Sequence, residues 1–249
     1  MTYCVGLMLN EGMVFLSDTR TNAGLDNISR YRKMFTWEVP GDRAIVALSA
    51  GNLAITQAVM STLHEAIDDP DTEPGNCILS APSMFRVAEL VGEAMQKVQH
   101  KYHDTLEQHH ESSAASIMVG GQRKGGEQRL FLVYAAGNFI EATADTPYLQ
   151  IGEHKYGKPI LDRVITPETP IQDGVKAVLL SMDSTLRSNL SVGMPLDLAV
   201  LPDDACQFSE LRRIEADDKG FRALSDAWSN ALRDAFADMP DEHCDLAAE

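Results

Sequence analysis

A β-hairpin starts at the second residue of this 249-residue chain and limits the folds open to everything after it. The run TYCVGLML, residues 2–9, is built from β-branched, aromatic and aliphatic side chains, and MVFLSD, residues 13–18, answers it. Between them Asn10-Glu11-Gly12 supplies the turn. Two apolar runs joined by so short a polar turn specify an antiparallel pair. No charged-then-apolar leader precedes the first run, so the N-terminus itself is expected to sit in a sheet. With a two-residue loop, residue 2 lies opposite residue 20 or 21, within a register step or two, and Asp18 finishes beside the N-terminus.

Thr2 occupies that end of the hairpin. Removal of Met1 would leave a hydroxyl and an α-amine on one residue, which is a nucleophile carrying its own base.

Downstream, SDTRTNAGLDNISRYRK is polar and rich in turn residues and reads as a loop to about Arg32. Lys33–Val39 reads as a third strand, Pro40-Gly41-Asp42 as a turn, and RAIVALS, Arg43–Ser49, as a strand buried on both faces. Residues 52–67 carry Ile55, Val59, Leu63 and Ile67 at helical spacing. After the acidic linker DDPDTEPGN, Ser83 caps a long helix with Met84, Val87, Val91, Met95, Val98 and Tyr102 on one face. Strands return at ASIMVGG, RLFLVYAAG and FIEAT. A strand end near Tyr148 and a short helix after Pro159 come next, followed by a helix over 171–188. A strand pair over 196–201 and 206–214 and a helix over 219–237 complete the pattern. Helix pairs alternating with hairpin-joined strands do not fit a parallel βαβ sheet. They predict an α+β fold, a four-layer αββα sandwich of two mostly antiparallel sheets covered by helices on both outer faces.

Nothing near the middle resembles a linker between domains. One domain over residues 1–237 is expected, with 238–249 an acidic, flexible tail. The 37 acidic residues against 21 Lys and Arg give a formal charge of −16, which argues against nucleic acid and against an anionic membrane surface as partners. Cys4, Cys77, Cys206 and Cys244 are scattered and form no CxxC pair, and no apolar run is long enough to span a membrane. Reduced thiols in the cytoplasm are the expectation. His103, Glu107 and His110 share a helical face, but with no HExxH-type signature a solvated helix end is the better reading, and no metal or cofactor is implied.

The αββα layout is that of the N-terminal-nucleophile hydrolases, and four stretches sharpen the likeness. The opening TYCVGL, the segment SDTRTNAG, RKMF around Lys33 and SAGNLAITQ resemble proteasome β-type subunits. Among these they are most similar to the bacterial Anbu group, related to HslV and distinct from it and from the 20S β subunits. The resemblance covers nearly the whole chain. It implies that Thr2 is the nucleophile, Asp18 and Lys33 its charged supports, and the backbone N–H of Ala47 the oxyanion donor, where HslV and 20S subunits have Gly.

Two supporting positions depart from the family pattern. Arg187-Ser188-Asn189-Leu190-Ser191-Val192-Gly193 resembles Arg-Asp-x-x-Ser-Gly-Gly, so Ser191 keeps its hydroxyl while Ser188 stands where the Asp belongs. Gly152-Glu153-His154 resembles the family's Gly-Ser-Gly turn with Glu153 in place of the serine.

The resemblance implies a threonine-type peptidase acting on peptides or proteins within a homo-oligomeric ring. The residues specify no ATPase partner. Two other readings stand beside it: an N-terminal-nucleophile amidase with a narrow non-protein substrate, and a ring-forming scaffold whose site is weak or silent.

Overall fold

The computed structural model describes residues 2–22, 28–109 and 112–240. Contacts divide the chain into two units, residues 1–215 and 216–249. Within the first unit, β1 (Tyr3–Leu9), β2 (Gly12–Asp18), β10 (Tyr148–Gly152), β11 (Leu196–Pro202) and β12 (Glu210–Ile214) form one sheet in the order β10-β1-β2-β11-β12. A second sheet runs β5-β6-β7-β8-β9, from β5 (Met34–Val39), β6 (Arg43–Gly51), β7 (Ala115–Arg123), β8 (Arg129–Val133) and β9 (Phe139–Glu141). Every pairing in both is antiparallel.

The period of two sorts the side chains of each strand between two cores. Cys4, Met13, Phe15, Ala199 and Leu201 of the first sheet meet Met34, Val46, Leu48, Met118 and Leu130 of the second, filling the layer between the sheets. Trp37, Ile45, Ala47, Ile117, Val119 and Phe131 face the other way, onto α1 (Leu53–Asp68) and α2 (Met84–Gln108). The stripes on those helices follow expectation at Ile55, Val59 and Leu63 on α1 and at Met84, Val87, Val91, Met95 and Val98 on α2, whereas Tyr102, expected to extend the α2 stripe, is exposed. Each helix starts at a side-chain cap. Asn52 Oδ1 accepts from the N–H groups of Ala54 and Ile55, and Ser83 Oγ accepts from Arg86 N–H. On the opposite outer face, α4 (Ile171–Ser188) lies along β1 and β2, next to α3 (Lys158–Val164). The four-layer αββα sandwich is therefore the architecture of this unit. The second unit contains α5 (Lys219–Ala237), whose first turn is capped by Asp218 Oδ1 accepting from Phe221 N–H at 2.8 Å. Residues beyond 240, the greater part of the expected tail, lie outside the described residues, as do Cys244 and His110.

One stretch departs from expectation. The segment read as a loop contains a two-stranded ribbon, β3 (Arg20–Asn22) against β4 (Ile28–Arg30). Its sequence is mostly polar, so hydrophobic periodicity is silent there, and it is held by backbone pairing together with Thr21 Oγ1 donating to the Ser29 carbonyl at 3.3 Å. Among the described residues no helix is long and apolar enough to cross a membrane.

Candidate active site

The hairpin register decides what stands beside the N-terminus. Leu9 pairs with Gly12 and Cys4 with Ser17, so continuation of the ladder sets Tyr3 opposite Asp18 and Thr2 opposite Thr19. The two-residue turn falls at Asn10-Glu11, so this partner lies just short of the expected 20 or 21, within the register step or two allowed. Thr2 is 8% exposed, and its carbonyl oxygen accepts from Glu153 N–H at 2.6 Å. Gly152 packs directly on it with φ +82°, a conformation that a side chain would strain, and an added Cβ would collide with the Thr2 carbonyl.

Asp18 is fully buried. Its Oδ1 accepts from Lys33 Nζ at 2.6 Å and from Tyr3 N–H at 3.1 Å, and its Oδ2 from Arg20 and Gly193 N–H, both at 3.2 Å. Burial is the largest influence on this carboxyl and pushes its pKa upward, while the Lys33 ammonium and the backbone donors pull against it. Lys33, 3% exposed, also donates to the Arg20 carbonyl at 2.6 Å. The lysine is thus held from both sides: by a carboxylate on the second strand of the hairpin and by a carbonyl on the ribbon that follows. The structure brings Asp18 and Lys33 into one ion pair directly beneath the Thr2–Tyr3 peptide.

It does not bring Ala47 there. Ser49 N–H donates to the Lys33 carbonyl at 2.9 Å, and strand alternation places the Ala47 N–H, two residues back, on its register partner Phe35. Ala47 lies fully buried inside the strand and its donor is consumed by the ladder. Alternation aims the N–H of Gly51, two residues forward, toward the same side, beyond the end of β5. The chain before Lys33 has turned away at that level, because Tyr31 N–H bonds to the Thr19 carbonyl instead. Gly51 is exposed, has φ +104°, and immediately precedes the α1 cap. Its sequence signal was the Ala50-Gly51-Asn52 passage from strand to helix.

The supporting positions are arranged as follows. Ser188 is the last residue of α4 and is exposed. Ser191, half-buried, donates its N–H to Asn189 Oδ1 at 2.9 Å. Glu153 Oε2 accepts from Asn189 Nδ2 at 3.1 Å. Asn189 therefore links Glu153, one of the two departures, to the backbone of Ser191, and only its turn-forming type in Ser-Asn-Leu-Ser signals it in the sequence. Among the described residues no group of three or more His, Cys, Asp or Glu side chains is placed to hold a metal. The side chains of His103 and Glu107 lie outside the described residues.

No protein-family model and no curated protein matches the chain. Solved structures do. The Gly-1 mutant of Anbu from Hyphomicrobium sp. strain MC1 is 48% identical over 96% of this chain and 98% of its own, with a TM-score of 0.89. Anbu (ancestral beta-subunit) from Yersinia bercovieri is 44% identical over 96% and 97%, with a TM-score of 0.89. The helical assembly of the Anbu complex from Pseudomonas aeruginosa matches at 44% identity, over 96% and 97%, again with a TM-score of 0.89.

Proposed function

This chain belongs to the Anbu family of proteasome-like ancestral β-subunits, and on that premise we propose that it is a threonine-type hydrolase of peptide or related amide bonds. In this reading Thr2, freed of Met1, is the nucleophile. One observation carries it: the buried Lys33–Asp18 pair at 2.6 Å shares its carboxylate oxygen with the N–H of Tyr3, the residue that follows Thr2.

The Thr2 hydroxyl adds to the amide carbonyl and its proton passes to the α-amine. The ordinary α-amine pKa is about 7.7–8.0, and a neighbouring Lys33 ammonium lowers it by like-charge repulsion, leaving the amine free as a base near neutrality. The tetrahedral oxyanion takes a backbone N–H, and we assign that donor to Gly51 rather than Ala47. Collapse breaks the C–N bond, the α-ammonium returns its proton to the departing amine, and water then hydrolyses the ester on Thr2.

A peptide epoxyketone reacts with a hydroxyl and a free amine borne on one residue, so it tests this chemistry directly. Intact mass spectrometry is expected to find Met1 absent and one probe added per wild-type chain, with none on Thr2→Ala. Retained Met1, or equal labelling of Thr2→Ala, would overturn the reading. Labelling of Thr2 without turnover of unstructured peptides would favour a narrower amidase over a general peptidase. The assembly of the Pseudomonas aeruginosa relative supports self-association of this chain. Sedimentation velocity is expected to find oligomers at micromolar concentration, and monomers alone would contradict it.

A further inference from the structure

With Thr2 as the terminal residue, as the reading above requires, β1 begins at a chain end, and such a strand frays unless something ties it down. Its backbone is tied by the Glu153 N–H and by the Tyr3–Asp18 bond described above. A third tie is made by a side chain that the proposed chemistry does not use. Tyr3 points to the helical face of its sheet and is fully buried. Its hydroxyl lies 2.5 Å from Ser181 Oγ on α4 and accepts from Gln150 Nε2 on β10 at 2.6 Å. The Ser181 carbonyl in turn accepts from Thr185 Oγ1 at 2.9 Å. Gly157, just before α3, completes the enclosure, because a Cβ there would collide with both Ser181 Oγ and the Tyr3 hydroxyl. Three elements converge on one phenolic oxygen.

Such a tie resists sliding. Moving β1 by one residue turns every side chain to the opposite face and displaces its end by about 3.3 Å. A slipped β1 would drive Thr2 or Cys4 toward the Ser181–Gln150 pocket, where neither reaches as far as a tyrosine hydroxyl. A small displacement already matters, since an error of about 1 Å at a reacting group costs roughly 10²-fold in rate.

We propose that Tyr3 is a positioning residue: its hydroxyl, held between Ser181 and Gln150, sets the register and depth of β1 and so the place of the Thr2 nucleophile against Lys33. This inference rests on the reading of Thr2 given above, and its test carries a readout that survives the failure of that reading.

The experiment compares wild type, Tyr3→Phe, Ser181→Ala and the double variant. The first measurement is the rate of epoxyketone addition to Thr2, normalised to folded protein, as a function of pH. Tyr3→Phe is expected to react roughly 10–100-fold more slowly. The midpoint of its pH profile should move upward, because Thr2 drawn away from Lys33 regains a more basic amine. Loss of folded protein alone would lower the amplitude and leave the midpoint in place. The double variant should be no slower than the worse single variant, since both break one contact. Unchanged normalised rate and midpoint in Tyr3→Phe would overturn the proposal.

The second measurement is amide hydrogen exchange of Tyr3, whose N–H is bonded to Asp18. It is expected to quicken at least tenfold in Tyr3→Phe while the amides of β7 keep their protection. Equal Tyr3 protection in both proteins would overturn the proposal even if no chain of any kind reacts at Thr2.

Discussion

Replacing Lys33 with methionine is expected to remove reactivity at Thr2 by about 10²–10⁴-fold and to destabilise the fold by roughly 3–5 kcal/mol. The two effects have one origin. Asp18 is fully buried and Lys33 is its nearest cation. Methionine fills the same space but leaves the carboxylate without a counter-charge, which costs far more than the intact ion pair contributes. The proton then becomes the substitute. Burial already pushes Asp18 upward, and losing the Lys33 ammonium removes the largest pull against that push, leaving the weaker ones of the Tyr3 and Gly193 N–H groups. The folded variant therefore keeps a proton that the unfolded chain releases above about pH 4. Where the native state binds more protons, stability falls as pH rises. Lys33→Met should accordingly lose stability from the ordinary carboxylate range upward, until Asp18 ionises in the folded protein as well. Chemical unfolding at a series of pH values would trace this slope. Adding Asp18→Asn is expected to flatten the slope and recover much of the stability while restoring no reactivity. A Lys33→Met protein with full stability at pH 8 would refute the buried-pair account.

The second large effect is expected at Gly152. Alanine there must adopt φ +82° and drive its Cβ into the Thr2 carbonyl. A loss of roughly 2–5 kcal/mol follows from the strain and the backbone displacement together. Epoxyketone labelling should fall about 10²-fold if Thr2 moves by an ångström. Gly41 provides the control, because its φ is +71° but nothing lies within 4 Å of an added Cβ. Gly41→Ala is expected to lose only the left-handed backbone penalty, about 1–2 kcal/mol, and to label at the wild-type rate. Thermal unfolding with labelling kinetics on the two variants separates backbone strain from displacement of the nucleophile. Equal labelling rates would mean that Gly152 does not hold Thr2.

The contrast between Gly51 and Ala47 marks the limit of reading a site from a linear pattern. RAIVALSAG announces a buried strand ending in a small residue, and nothing in the string says which N–H groups the neighbouring strand leaves open. That depends on where β5 stops, at Met34 opposite Leu48, and on Tyr31 turning its N–H to Thr19. Asn189 is a similar case. Its side chain spans Glu153 and Ser191, residues that only the approach of the α4 end to the β10 end makes neighbours. The β3–β4 ribbon leaves no mark in the sequence, because a mostly polar two-stranded pair carries no hydrophobic period.

What the sequence by itself determined is local or periodic. Two apolar runs and one short turn define the first hairpin, helical stripes define α1, α2 and α4, and the order of these elements leaves the αββα sandwich as the arrangement that buries both kinds of face. The placement of Asp18 near the N-terminus also follows from the sequence, since one short turn fixes hairpin register to within a step or two. Tertiary structure alone decided the depth of the site. The charge of Lys33 meets Asp18 where both are buried, the phenol of Tyr3 ends between Ser181 and Gln150, and Gly152 closes on the Thr2 carbonyl. Each is a contact between residues distant in the chain, set by how closely two layers pack, and packing distance leaves no periodic trace along a sequence.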